Sequence, residues 1–268
     1  MNKNIVCGLG EIGKPIYQLL SKNHITVGFD LDESLMNQKK FDKYKTLETE
    51  FIHICIPFSK NFVKSSIELI KKFSPSGVVI HSTISPHTTE KLQSKSKIPI
   101  IYSATRGVHS RMFKDLQRYT KFFSIEKNAP KKTWAISNFS KLMKKCDVQT
   151  KQISSPITLE LSKIVVDTSY YGWLINYAQI SNVIAKKYGV DYDEMWSFSD
   201  DIHKFLANRP KLFPGFIGGH CVIPNLQLID DKSLWEIDKI NNYYIKKVKN
   251  AKSISKKYVK GKQSYDKT

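Results

Sequence analysis

The chain has 268 residues, 41% of them hydrophobic and 12% aromatic, enough to bury one or two cores and too apolar for a disordered chain. Its formal net charge is +19, yet only four of 43 basic residues are Arg and the lysines are scattered over nearly every expected helix. A nucleic-acid reader would cluster its charge and use Arg forks, so nucleic acid is set aside as a partner and the lysines read as a solvated surface that attracts anions. No apolar run approaches the roughly 18 residues of a membrane span, no signal-like region precedes the first strand, and Cys7, Cys55, Cys146 and Cys221 form no Cys-x-x-Cys pair. The expectation is a cytoplasmic protein with no membrane span, metal site or disulfide framework.

Asn4–Cys7 is a short apolar run entering Gly8-Leu9-Gly10-Glu11-Ile12-Gly13, and Pro15 to Leu20 reads as a helix. In such a strand, Gly-x-Gly-x-x-Gly, helix order, the first glycine permits the turn, the second admits a pyrophosphate and the third lets helix pack on strand. Glycines in an unrelated turn are the competing reading. Against it, a second strand, Ile25–Phe29, ends in Asp30, where a carboxylate accepts from a ribose diol and repels a 2′-phosphate, favouring NAD over NADP. Gly8, Gly10, Glu11, Ile12, Gly13 and Asp30 are the expected cofactor contacts.

Further strands are expected at 51–56, 78–81, 98–102, 121–125 and 148–153, with helices at about 61–73, 88–96 and 131–145. That alternation predicts a doubly wound, mostly parallel Rossmann sheet over residues 1–155, followed by an α-helical domain with one long helix. Ligands of such sheets lie beyond the carboxyl ends of the strands, where Pro57, Ser82, Thr83 and Ser103 to Arg106 fall. Arg106, with Arg111 and Arg118, is placed to grip a carboxylate or phosphate, or simply to lie on the surface.

From Pro156 to Tyr188 the sequence has helical periodicity, long enough for the spine of a second domain and a homodimer interface. Glu160, Lys163 and Asp167, spaced by three and four, fall on one face, either an exposed salt-bridge face or a catalytic one. A second helix, 191–207, has an Asp191 cap and apolar Met195, Trp196, Ile202, Phe205 and Leu206 that read as core. Phe213 to Asn225 holds three glycines and two prolines and predicts a tight non-helical loop carrying Cys221. A cysteine beside backbone N–H groups and His220 is a candidate nucleophile, with a buried structural thiol as the alternative. The domains are therefore 1–155, 156–225 with the cysteine loop, and 226–268, a helix and a Lys-rich tail whose end, after about Tyr258, is expected to be disordered.

Gly218-Gly219-His220-Cys221 followed by Ile223-Pro224, together with Ser82-Thr83-Ile84 and the dinucleotide loop, resembles the UDP-glucose/GDP-mannose dehydrogenase family. The resemblance covers roughly residues 1–225. It implies NAD as cofactor, a sugar or anionic small-molecule substrate bound near Gly218, Gly219, His220 and Arg106, and a thiohemiacetal and thioester carried by Cys221. It further implies that Lys163 stabilises the oxyanion and that Thr83 lies near the nicotinamide and the water. Against the family's pattern the Asn and Asp are exchanged, as Asp167 and Asn225, which makes Asp167 the candidate base. Thr105 stands where the family has a water-activating Glu, and the chain stops before the family's third, nucleotide-sugar-binding domain. Two other readings remain: a two-domain β-hydroxyacid-type dehydrogenase without covalent catalysis, and a non-catalytic NAD-binding regulatory protein.

Overall fold

In β1 (Lys3–Cys7) Val6 enters one core with Phe51, Val79 and Ile101, while Ile5 and Cys7 enter another with Ile52, Ile54, Val78 and Ile80. A strand covered on both faces must be apolar on both, which is why these segments read as unbroken apolar runs. The computed structural model describes residues 1–248 and residue 251 and divides into two units, Met1–Lys163 and the residues from Ile164 onward.

The first unit is built on a seven-stranded sheet of order β2-β1-β3-β4-β5-β6-β7. Strands β1, β2 (Thr26–Phe29), β3 (Thr49–Ile54), β4 (Gly77–Ile80) and β5 (Ile100–Tyr102) are parallel. Strand β6 (Lys121–Ile125) is antiparallel to β5, and β7 (Thr150–Gln152) is parallel to β6. One face is covered by α1 (Gly13–Ser21), α5 (Met112–Arg118) and α6 (Lys132–Lys144), the other by α3 (Phe62–Phe73), α4 (Thr88–Gln93) and α7 (Pro156–Leu161). Helix α2 (Gln38–Lys43) follows β2. This is the expected doubly wound architecture. From β1 the chain steps to β2 on one side and crosses to β3 on the other, which opens a crevice at their carboxyl ends. Neither α2 nor α5 was expected from the sequence; both are short, six and seven residues. The turn His109–Arg111 and α5 return the chain so that β6 starts at the carboxyl edge of the parallel strands.

Between Pro156 and Tyr188 the helix is not uniform. A π-helical segment, Ser162–Ser169, separates α7 from α8 (Tyr170–Tyr188). The β-branched run Ile164-Val165-Val166 crowds a regular α turn, and Ser169 Oγ donates to Ile164 O, five residues back, at 2.6 Å. Regular spacing therefore does not continue through Lys163 and Asp167.

In the second unit, α9 (Tyr192–Ser197) and α10 (Asp200–Leu206) replace the single helix expected over 191–207. Asp191 caps as expected, its Oδ1 accepting from Glu194 N at 2.8 Å, but Ser197 Oγ turns back to Glu194 O at 2.7 Å and the helix breaks. The expectation that this region is core is corrected: Ile202, Phe205 and Leu206 are exposed. The last helices are α11 (Ile223–Leu226) and α12 (Lys232–Lys247), so the final residues of the cysteine loop form a helical turn. The unit's core is Ile217, Val222, Leu226 and Ile237, and Gly172 makes it possible, since a Cβ there would stand 2.9 Å from Val222 Cγ1 and 3.1 Å from Ile237 Cγ2. The expected disordered tail lies outside the described residues.

Candidate active site

The glycine loop and Asp30 are joined directly. Gly8 N donates to Phe29 O at 2.9 Å and Leu9 N to Asp30 Oδ2 at 2.6 Å, while Asp30 Oδ1 accepts from Asp32 N at 3.0 Å. The carboxylate is thus fixed at the rim of the loop with lone pairs remaining for a diol. Gly8 has φ +88°, and a Cβ on it would stand 3.0 Å from the Cys55 carbonyl, so both its conformation and its space require glycine. Gly13 lies under Gly8 O, where a Cβ would come within 1.6 Å. Gly10 is the opposite: a Cβ there meets nothing within 4 Å, so the loop's outer face is open to a large anion. Among the described residues no side chain caps the first turn of α1, whose N–H groups face the same opening. The residues present fit a dinucleotide's pyrophosphate and ribose.

The other expected strand-end residues of the first unit fall on the same edge. Ser82 Oγ donates to Ile56 O at 2.6 Å, which binds the segment before Pro57 to the segment carrying Thr83. Ser103 N donates to Ile80 O at 2.8 Å, and Thr105 N to His81 O at 3.1 Å. Arg106 is held inward: its Nη2 donates to Thr120 O at 2.7 Å and its guanidinium lies 4.8 Å from the Phe122 ring centroid. Glu11, exposed in the glycine loop, pairs with His109 at 3.0 Å.

Two groups of polar residues escape a sequence reading. Glu160 is buried rather than on an exposed charged face; it accepts from His87 N at 2.7 Å, Thr89 N at 2.9 Å and Thr89 Oγ1 at 2.6 Å. Burial raises its pKa against the opposing pull of these hydrogen bonds. It ties α7 to the start of α4, just beyond Thr83. The second group lies inside the sheet. His53 Nδ1 and His81 Nε2 are 2.9 Å apart with the rings stacked, and His81 Nδ1 is 3.2 Å from Ser103 O. A carbonyl only accepts, so His81 carries its proton on Nδ1, and its Nε2 accepts a hydrogen bond from His53 Nδ1. Burial holds both histidines neutral, His53 down to about 3 and His81 well below its usual range. Lys121 Nζ, also buried, donates to Ser103 O at 2.9 Å, Ala104 O at 3.2 Å and Thr105 Oγ1 at 3.3 Å. The only hint in the sequence was three polar residues interrupting apolar strands.

In the second unit Cys221 is exposed, as are Gly218, Gly219 and His220 before it. The thiol is not the buried structural cysteine of the alternative reading. Asn225 is bound to the loop itself, its Nδ2 donating to Cys221 O at 2.6 Å. The stretch leading to Cys221 is pinned by a buried amide cluster: Gln179 Nε2 donates to Gly215 O at 2.6 Å and Asn241 Oδ1 at 3.0 Å, and Asn241 exchanges hydrogen bonds with Ile217 N at 2.9 Å and Ile217 O at 3.0 Å. Asn176 donates to Gln179 Oε1 at 2.9 Å and Ile237 O at 3.2 Å, and Tyr244 Oη donates to Pro214 O. Lys163 is half-buried and Asp167 exposed, both in the π-helical segment, a rare helix form frequent at functional sites. Among the described residues no cluster of His, Cys, Asp or Glu suits a metal ion, and no helix is long and apolar enough to cross a membrane.

No family model and no curated protein matches the chain by sequence. Solved structures match it by fold. UDP-D-ManNAc dehydrogenase from Pyrococcus horikoshii aligns with TM-score 0.73 and 18% identity, over 90% of this chain and 68% of that one. A UDP-glucose dehydrogenase from Pyrobaculum islandicum aligns at 0.71 and 15%, over 91% and 68%. A Mycobacterium tuberculosis 3-hydroxyisobutyrate dehydrogenase, solved with L-serine, aligns at 0.65 and 13%, over 92% of this chain and 93% of that one. Likeness at these identities establishes a shared fold.

Proposed function

We propose that this protein is an NAD-dependent dehydrogenase that oxidises the primary alcohol of a nucleotide sugar or related sugar to the acid through an adduct on Cys221. The observation that carries the NAD half is the glycine loop fastened to Asp30 with its Gly10 face open. The dinucleotide supplies the hydride acceptor. The exposed Cys221 supports the other half: its thiolate adds to the aldehyde carbon formed by the first oxidation, the thiohemiacetal loses a second hydride, and water releases the acid from the thioester. In this reading Lys163 stabilises the negative oxygen of each tetrahedral species, Asp167 accepts the proton of the attacking water, and Thr83 and Asn225 orient water and substrate. Gly218, Gly219, His220 and Arg106 border the substrate. The match over UDP-sugar dehydrogenases supports the substrate class.

The same reading includes a homodimer. On α8 the apolar residues Tyr170, Trp173, Tyr177, Ile180, Ile184 and Tyr188 are exposed at spacings of three and four, a stripe suited to a second copy.

Cys221→Ser tests the assignment. The variant is expected to keep NAD binding, measured by calorimetry, and to lose acid formation by at least ~1,000-fold, since an alcohol is a far weaker nucleophile than a thiolate at neutral pH. Acid formation at the wild-type rate would remove Cys221 from the chemistry.

One observation favours a second reading. The hydroxyisobutyrate dehydrogenase is matched over nearly its whole length. A two-domain hydroxyacid dehydrogenase would use Lys163 and one hydride transfer, with no role for the thiol.

A further inference from the structure

Lys121 is a buried amine whose three hydrogen-bond acceptors are all uncharged, Ser103 O, Ala104 O and Thr105 Oγ1. No carboxylate forms an ion pair with it among the described residues. The titratable groups facing it are His53 and Cys55 from β3 and its end, His81 beyond β4, Arg106 after β5, and Lys163. The histidines are neutral, and Arg106 and Lys163 add positive charge. Burial first, then these cations, lower the Lys121 pKa from 10.5 to about 7, with the Cys55 thiol opposing.

Cys55 also connects this cluster to the glycine loop, since Cβ atoms on Gly8 or Gly13 would collide with it. Asp30 lies at the end of β2, and ligands of such sheets lie beyond the carboxyl ends of the strands, so a dinucleotide held there would lie along the ends of β1, β3, β4 and β5. That direction leads to the carboxyl edge where Lys121 reaches Thr105. An oxidised nicotinamide ring is positively charged; a reduced one is not.

We propose that Lys121 is the proton store of the nicotinamide site, giving up its proton when the oxidised dinucleotide binds and taking up the proton released when the alcohol is oxidised. This rests on the dehydrogenase reading and adds to it a fate for the proton. In the oxidation the C–H pair leaves as hydride to the oxidised ring. The O–H proton passes to Thr105 Oγ1 as that hydroxyl's own proton passes to Lys121 Nζ, leaving a carbonyl, a reduced ring and a charged lysine. Lys121 acts through Thr105 and is a positioning residue. Its hydrogen bond to Thr105 ties it to the position where the resemblance has a water-activating Glu and this chain has a threonine.

Binding calorimetry of the full chain, with NAD+ and with NADH, in buffers of different protonation enthalpy counts the protons exchanged. Near pH 7 about half a proton should leave per NAD+ bound, because a group titrating there is half charged, and the release should fall away by pH 9. NADH should release none. Lys121→Met and Lys121→Arg should bind NAD+ without proton release, the first because it carries no proton and the second because it cannot lose one. Release unchanged in either variant, or a wild type that binds NAD+ with no release between pH 6 and 8, would overturn the proposal and leave the dehydrogenase reading intact. A wild type that binds neither dinucleotide would overturn both. Should neither variant fold, the wild-type contrast between NAD+ and NADH across pH decides alone.

Discussion

Gly13→Ala should abolish dinucleotide binding while Gly10→Ala folds as the parent does. The methyl at position 13 would sit 1.6 Å from Gly8 O, 2.7 Å from Gly8 C and 3.2 Å from Cys55 Cβ. Two of these are backbone atoms of the very turn that presents the N–H groups, so relief requires moving the loop off Asp30 or lifting α1 from the sheet. Overpacking of this kind typically costs about 1–3 kcal/mol of stability. Displacing the loop further costs affinity, and a loss of at least ~100-fold, about 2.7 kcal/mol, is expected in NAD binding by calorimetry. At position 10 the added methyl meets nothing within 4 Å, so the melting temperature should match that of the parent. A Gly13→Ala protein that binds NAD as the parent does would mean that the dinucleotide lies elsewhere.

The second large effect is loss of stability in mild acid. His53 and His81 ionise near 6.5 when unfolded but are held neutral in the fold, His53 down to about 3. Between pH 6.5 and 3 the unfolded chain therefore binds more protons than the folded one, so stability rises with pH across that window and is lost as pH falls. By pH 5 His53 should have removed roughly 2 kcal/mol, with His81 adding a loss in the same direction and relaxation of the site limiting both. The hydrogen bonding explains why neither can charge cheaply. The proton on His81 Nδ1 faces Ser103 O, His81 Nε2 is used by His53, and the Lys121 amine is close by. Urea unfolding at pH 7, 6 and 5 should show a falling midpoint for the parent and a shallower fall for His53→Gln. A midpoint that is flat from pH 7 to 5 would contradict the buried neutral pair. Lys121, lowered from 10.5 to about 7, acts in the same direction at higher pH, its penalty easing as pH rises from 7 toward 10.5.

What the sequence made legible was local or periodic. The glycine loop, Asp30 and the alternation of strands and helices could be read because each depends on a few adjacent residues or on an apolar run. The cluster of His53, His81 and Lys121 could not, because its members are separated in the chain and meet only after β6 folds back antiparallel to β5. Regular α spacing left Glu160 between an exposed salt-bridge face and a catalytic one, because it ignores both the π-helical segment that follows and the N–H groups of His87 and Thr89 waiting across from it. Phe205 and Leu206 looked like core because helical periodicity reports that a face is apolar and says nothing of what covers it. Around Cys221 the loop's composition announced a turn, but not that Gln179 and Asn241 would hold it, since amides on distant helices carry no signal of their own.

The number of reduced cofactors formed per substrate separates a four-electron oxidation at Cys221 from a single hydride transfer. Incubated with NAD and a limiting amount of each of a panel of UDP-sugars, the protein should form two NADH per molecule of the accepted sugar, with the acid as product. One NADH per molecule with a carbonyl product would contradict the covalent route and leave the hydroxyacid type of chemistry in its place.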